Sequence, residues 1–241
     1  MTGAPELHIR RSADHGVTRK GALEGVHHFS FASFQKLDRV EWGVLRAVHH
    51  YRLAAGGERE PVHYAGFDVL TLMRSGTLRR TGDFEPRQLL EPGSIELVAT
   101  GSGALLGLRA GKAQDAAFIE IWLKSSSIYP ARRDCLAPKL KNHPRAILAS
   151  PSGSAGALRL SCAASLERAL LRKGDRSRLL FESRSLGYVV VLTGKANING
   201  ECVQGGDGIA VSCRELHCEA EDHAELLIIG ADSSRKRSDF A

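Results

Sequence analysis

The stretch Val62-His63-Tyr64-Ala65-Gly66-Phe67-Asp68-Val69-Leu70-Thr71-Leu72-Met73-Arg74-Ser75-Gly76 decides the fold. Its second half, residues 68–73, is a short apolar and β-branched run. Gly76-Thr77 then closes it with a residue that reaches positive φ at little cost, the mark of a tight reversal. The same order of strand, glycine and strand returns at residues 190–198, with Gly194-Lys195 in the turn, which suits a weak internal duplication. Working outward, residues 44–48, 94–98, 117–123, 188–192, 208–212 and 225–229 are further strand-like runs separated by Gly, Pro and Asp. That pattern predicts an all-β sandwich or barrel rather than alternating β and α units. Asn199-Gly200 is the strongest single hairpin signal and favours a type I′ turn. Residues 163–171 read equally as a helix or, from the alternation of Leu158, Leu160, Cys162, Ala164 and Leu166, as a strand.

A chain of 241 residues with 43% hydrophobic and 25% charged residues has the composition of a globular protein with a sizeable core. It holds no apolar run of about 18 residues for a membrane span. The opening segment carries His8, Arg10 and Arg11 with no apolar stretch behind them, so no secretory signal is expected and a cytoplasmic location is. Five cysteines, Cys135, Cys162, Cys202, Cys213 and Cys218, form no C-x-x-C and are expected as reduced thiols. Around His217, strand periodicity turns Cys213 and Cys218 to opposite sides, which argues against a metal site there. The net charge of +6 comes from scattered arginines such as Arg79, Arg80, Arg132, Arg133, Arg172, Arg176 and Arg178. Only Arg235-Lys236-Arg237 is dense, and it reads as a solvated tail, so nucleic acid is not the expected partner.

Between residues 124 and 160 the texture changes to Ser125-Ser126-Ser127, Pro130, Pro138, Pro144 and Pro151-Ser152-Gly153-Ser154, a connector by composition. The boundary is placed near residue 150. Residues 1–150 form the first unit with its connector, and residues 151–241 the second with its short basic tail.

Three groups of residues carry a family resemblance. Val26-His27-His28-Phe29-Ser30-Phe31-Ala32-Ser33-Phe34 with Gly43-Val44-Leu45-Arg46 closely resembles the H-x-F-S-F-A-x-Y and G-x-L-R-V signatures of pirins. The opening stretch resembles the first cupin motif of that family, H-x-H-x-x-x-E-I-x-T-Y-V-x-x-G. Thr71 and Gly76 stand on its threonine and last glycine, Asp68 on its glutamate, and Val62 and Tyr64 on its two histidines. Ala99-Thr100-Gly101-Ser102-Gly103-Ala104-Leu105-Leu106-Gly107-Leu108 resembles the second half, S-A-G-x-G-x-x-H-S-E, and puts Leu106 and Leu108 on the last two ligands. Residues 194–200, 206–210 and 224–229 look like the closing hairpins of a second cupin, so the resemblance spans about residues 8 to 230. It implies a bicupin, two jelly-roll-like β-barrels in one chain. It also implies an iron held by three imidazoles and a carboxylate, with quercetin 2,3-dioxygenase activity in some members.

The residues present do not supply that chemistry. A divalent first-row ion gains nothing from aliphatic carbon, so Val62, Leu106 and Leu108 cannot ligate. A phenol titrates near 10, which makes Tyr64 a reluctant donor. Two readings follow for these four positions: plain core filling, or an apolar pocket wide enough for a flat aromatic ligand. His63 and Asp68 are the remaining donors for a displaced metal site, although a slip of one residue along a strand points His63 to the other face. His27 and His28 are expected to hydrogen-bond the scaffold, and His49 and His50 to project to opposite faces. The chain is therefore expected to be a non-catalytic small-molecule-binding or regulatory protein, with no catalytic residue and no resident cofactor. An apolar or aromatic molecule or another protein is its expected partner. The alternative is a quercetinase-type dioxygenase using iron or another divalent metal near His63.

Overall fold

The computed structural model describes residues 7–85, 89–136, 144–181 and 186–231. Pro138, His143 and the run Arg235-Lys236-Arg237 lie outside them. Over the described residues most of the chain is β-strand, with short 3-10 turns its only helical pieces, and it has the all-β cupin fold. The expected strands are all present and most are longer than their apolar run, while 94–98 becomes Ile95–Ala99 and 208–212 the shorter Gly208–Val211. Residues 68–73, for example, lie inside Phe67–Ser75.

Strands Gly16–Lys20, Leu23–His27, Leu45–Leu53, Ala116–Lys124, Phe67–Ser75, Ile95–Ala99 and Arg132–Leu136 lie side by side in that order in one seven-stranded sheet. A three-stranded sheet of Glu58–Tyr64, Ala104–Ala110 and Leu78–Gly82 completes the first barrel. The second half repeats the plan. Leu7–Arg10, Gly208–Val211, Leu186–Thr193, Ala224–Ala231, Ala164–Leu171, Arg145–Ser150 and Leu158–Arg159 form its large sheet. Arg176–Leu180, Glu215–Ala220, Lys195–Ile198 and Glu201–Gln204 form its small one.

One open reading is resolved and two features differ from the sequence expectation. Residues 164–171 are strand, paired along their length with Ala224–Ala231, with Ala164 and Leu166 on the seam face and Ala169 on the face that lines the second barrel. The connector is not irregular throughout: Arg132–Leu136 adds an edge to the first large sheet and Arg145–Ser150 enters the second. Leu7–Arg10, on the N-terminal side of residue 150, pairs antiparallel with Gly208–Val211 and so belongs to the second sheet. The chain thus ties its start to the far barrel.

The turn glycines behave as the sequence demands. Gly76 and Gly194 occupy matching turns at φ 69 and 80, and a side chain at either would run into the backbone carbonyl of Asp115 or His223. Asn199 and Gly200 both take positive φ, at 50 and 93, as a type I′ turn requires.

Strand alternation divides the first large sheet into two chemistries. One face carries Val48, Leu70, Leu72, Ile95, Leu97, Ile119, Ile121 and Leu123, which pack on Leu148, Leu166, Tyr188, Val190, Leu227 and Ile229 of the second half. The two large sheets are thereby joined back to back by one apolar seam. Each such side chain contributes roughly 1.5–3 kcal/mol on burial. The other face lines the barrel interior and positions the candidate site.

Candidate functional site

Register places five inward side chains in one row across the first large sheet. His27 lies opposite His49, His49 opposite Glu120, Glu120 opposite Thr71, and Thr71 opposite Glu96. One level along the strands the inward positions are Trp122, Val69 and Val98; one level the other way they are Tyr51, Phe118 and Met73. Those two levels belong to two separate apolar clusters. The interior is therefore a polar layer held between two apolar ones.

The facing small sheet supplies the countercharge. Arg59 and Arg80 stand on the two strands that flank Leu108, each directly opposite it. Arg59 grips Glu120 with both terminal nitrogens, Nη1 to Oε1 at 3.1 Å and Nη2 to Oε2 at 2.9 Å, while Trp122 Nε1 donates to the same carboxylate at 2.8 Å. Arg80, fully buried, donates Nε and Nη2 to Glu96 Oε2 and also reaches Thr71 Oγ1 at 2.9 Å. Arg133 Nε closes on the other oxygen of Glu96 at 2.5 Å. Burial works against the charge of Glu120, but the facing Arg59 outweighs it and holds the carboxyl below its usual range. A buried carboxylate left alone would cost several kcal/mol, so this matching is a condition of having the layer at all.

The imidazoles complete the row without charge. One of His27 and His49 donates to the other through Nδ1 at 2.8 Å, and His27 Nε2 meets Thr18 Oγ1 at 2.8 Å. Burial lowers the pKa of His27 to about 4 and that of His49 well below the ordinary imidazole value. On the opposite face His28 bonds Tyr188 and His50, so the expectation that His49 and His50 part company holds.

The positions predicted from the sequence divide. Leu106 and Leu108 are wholly buried, but in different clusters: Leu106 with Tyr64, Val69 and Val98, Leu108 with Tyr51, Met73 and Phe118. Tyr64 is buried against Trp122, and burial followed by the nearby Glu120 pushes its phenol up to about 12. Val62 is 53% exposed, beyond a bulge after Arg59, so these four side chains do not enclose one chamber. His63 is exposed on the outer side of the small sheet, against Gly103. Asp68 turns to the seam, where it accepts from the Ser161 amide, and burial raises its pKa. His63 and Asp68 therefore do not converge.

The family's metal does not fit this set. Its four positions offer two buried leucines, an exposed valine and a phenol that holds its proton. Two guanidiniums already matched to Glu96 and Glu120 flank the position where a ligating carboxylate would stand. The sequence reading missed this network. A signal existed in the lone charges inside apolar runs, Ile95-Glu96-Leu97 and Phe118-Ile119-Glu120-Ile121-Trp122, since an inward acid in a strand requires a buried partner.

Comparison with known proteins agrees with the fold. Residues 147–230 match the quercetinase C-terminal cupin domain family. A Zymomonas mobilis protein provisionally named quercetin 2,3-dioxygenase is 27% identical over 220 residues, covering 89% of this chain and 93% of its own. A pirin-like protein of Caulobacter vibrioides is 25% identical over 224 residues, covering 91% and 94%. Among solved structures, the bacterial pirin YhhW of Escherichia coli in complex with nickel(II) superposes with a TM-score of 0.89 at 18% identity, covering 95% of this chain and all of that one.

Proposed function

The chain belongs to the pirin family, and we propose that it serves there as a non-catalytic binding or regulatory protein rather than as a dioxygenase. The observation that carries this reading is the neutralised polar layer: Arg59 and Arg80 with Glu120 and Glu96 occupy the barrel interior around Leu108. With Val62, Leu106 and Leu108 at three motif positions, the donors that dioxygenase chemistry needs are missing from their places. At the same end of the small sheet Val62 and Leu105 are exposed apolar side chains, at 53% and 43%, beside the exposed His63. That surface suits an apolar or aromatic molecule or the face of another protein. Nucleic acid is not proposed, because Arg132, Arg133, Arg176 and Arg178 face Asp134, Glu96, Glu219 and Glu215 rather than forming an unpaired basic surface.

The relatives' dioxygenase names keep the enzymatic alternative in view, and one assay separates the two readings. Oxygen uptake is followed with quercetin and protein produced with iron, manganese, copper or nickel supplied. Uptake no faster than the flavonol's own autoxidation is expected; saturable turnover that disappears in a chelator would refute the proposal.

A further inference from the structure

At the seam between the halves, near the strand that starts the second large sheet, three basic side chains are buried together. Arg10, His15 and Arg39 are 4%, 8% and 8% exposed. Arg10 lies over the Phe29 ring at 4.5 Å and the Tyr188 ring at 5.4 Å, beside the Tyr188 hydroxyl, and its Nη2 donates to the Asp38 carbonyl at 3.1 Å. Arg39, next along the chain, donates Nη1 to the Asp14 carbonyl at 3.1 Å, and Asp14 directly precedes His15. The His15 ring lies on that of His28, centroids 3.9 Å apart. The three basic groups are therefore tied together by two backbone carbonyls.

What they lack is an acceptor. Arg10 Nη1, Arg39 Nε and both ring nitrogens of His15 are buried with no partner in good hydrogen-bond geometry, the Tyr188 hydroxyl beside Arg10 and the Arg10 backbone near His15 being the nearest polar groups. They cannot satisfy one another, because guanidinium nitrogens only donate and a neutral imidazole has a single acceptor to give. Nor is the charge matched among the described residues. The nearest carboxylate to Arg39, Asp38 Oδ2, stands 3.9 Å from Nε and is 77% exposed, so it is largely neutralised by solvent. Asp207, also near His15, is taken up by Arg11 Nη1 and by the amides of Ser12 and Gln204. Water could accept some of these hydrogen bonds but would leave two buried guanidinium charges uncompensated, which proteins avoid.

We propose that Arg10, His15 and Arg39 form a binding site for a small oxyanion, a phosphate, sulfate or carboxylate group, held at the seam between the two barrels. Oxygen lone pairs would accept from Arg10 Nη1, Arg39 Nε and a ring N–H of His15, and the negative charge would offset the guanidiniums. Because the groups come from the first strand of the second sheet and from the loops of the first barrel, an anion there fastens the halves together. The site is separate from the barrel interior, and it stands or falls independently of whether that barrel is catalytic.

The test is thermal unfolding of the full chain at constant ionic strength while chloride is replaced stepwise by phosphate, sulfate or acetate. A saturable rise in Tm with at least one oxyanion is expected, since a ligand that binds only the folded state stabilises it by mass action. Response to phosphate and sulfate but not acetate would identify a tetrahedral ligand, and response to acetate alone a carboxylate. Arg39→Gln should raise the midpoint concentration by about tenfold or more, equivalent to one lost charged contact. Arg109→Gln, which removes an exposed partner of Glu58, should leave it unchanged. Should Arg39→Gln not fold, His15→Phe keeps the ring, removes the donor and should weaken the response in the same direction. Equal Tm values in all salts, or an unaltered response in Arg39→Gln or His15→Phe, would overturn the assignment.

Discussion

The two barrels share a plan and fill it differently. Among the described residues the interior of the second is an apolar cluster, packed from Leu179, Val189, Val191, Ile198, Val203, Ile209, Leu216, Leu226 and Ile228. The first has an apolar cluster at each end and between them a layer of Glu96, Glu120, Thr71, His27 and His49 closed by Arg59 and Arg80. One is an apolar core; the other is a core with a charged layer at mid-height. The difference teaches that a cupin interior can carry buried carboxylates where each inward one, here Glu96 and Glu120, faces a guanidinium.

Acid should break the comparison most sharply. Burial first, with Arg39 adding to it at His15 and the neighbouring His15 at His50, lowers the pKa values of His15, His27 and His50 to about 4. These folded values lie below the ordinary 6.5 of an unfolded chain, so the unfolded state takes up protons first. Stability is then complete above about pH 6.5 and is lost as the pH falls towards 4. All three residues lie in the first half or at the seam, whereas His217 and His223 of the second half are exposed. Hydrogen exchange at about pH 5 should show protection lost first from Leu23–His27 and Leu45–Leu53, with Lys195–Ile198 and Glu215–Ala220 lasting longer.

Single substitutions rank below that. Arg59→Met strands Glu120 in the interior with Trp122 as its remaining donor, and about 3–5 kcal/mol of unfolding free energy should disappear in urea denaturation. In the second barrel Leu226→Ala leaves a cavity instead, costing about 2–5 kcal/mol with no change in pH dependence. The double variant Arg59→Met with Glu120→Leu removes both charges. It should recover most of the loss of Arg59→Met, leaving the protein within about 1–2 kcal/mol of the parent, because a buried pair is worth little against apolar replacements. A double variant no better than Arg59→Met would mean that the layer is held by more than its charge matching. Val62→Ala, at an exposed position, should move stability by no more than about 0.5 kcal/mol.

The fold was legible because it rests on local signals. Gly76 and Gly194 sit where only positive φ serves, Asn199-Gly200 makes its hairpin turn, and apolar runs separated by such turns have few outcomes other than β-strands. The family motifs likewise located Tyr64, Leu106 and Leu108, whose aliphatic or phenolic chemistry needs no structure to read. The ion-pair layer was not legible in the same way. Glu96 and Arg80 are 16 residues apart, Arg59 and Glu120 61 apart, and no spacing rule joins positions that only the register of two sheets brings together. The ambiguity over residues 163–171 had a similar cause. A helical reading of 163–171 competed with the period-two alternation of Leu158 to Leu166, and the ladder to Ala224–Ala231 settled it as strand. His63 illustrates the reverse case, a donor in the right stretch turned outward by the period of two.

The most direct test of the account is the metal content of the purified full chain, by elemental analysis, after growth with iron, manganese, zinc, copper and nickel supplied and dialysis without chelator. The neutralised layer predicts far less than one equivalent of any metal, with no difference between the parent and Tyr64→Phe. Close to one equivalent, falling in Tyr64→Phe or His63→Ala, would contradict it and return the first barrel to the metal-dependent members of its family.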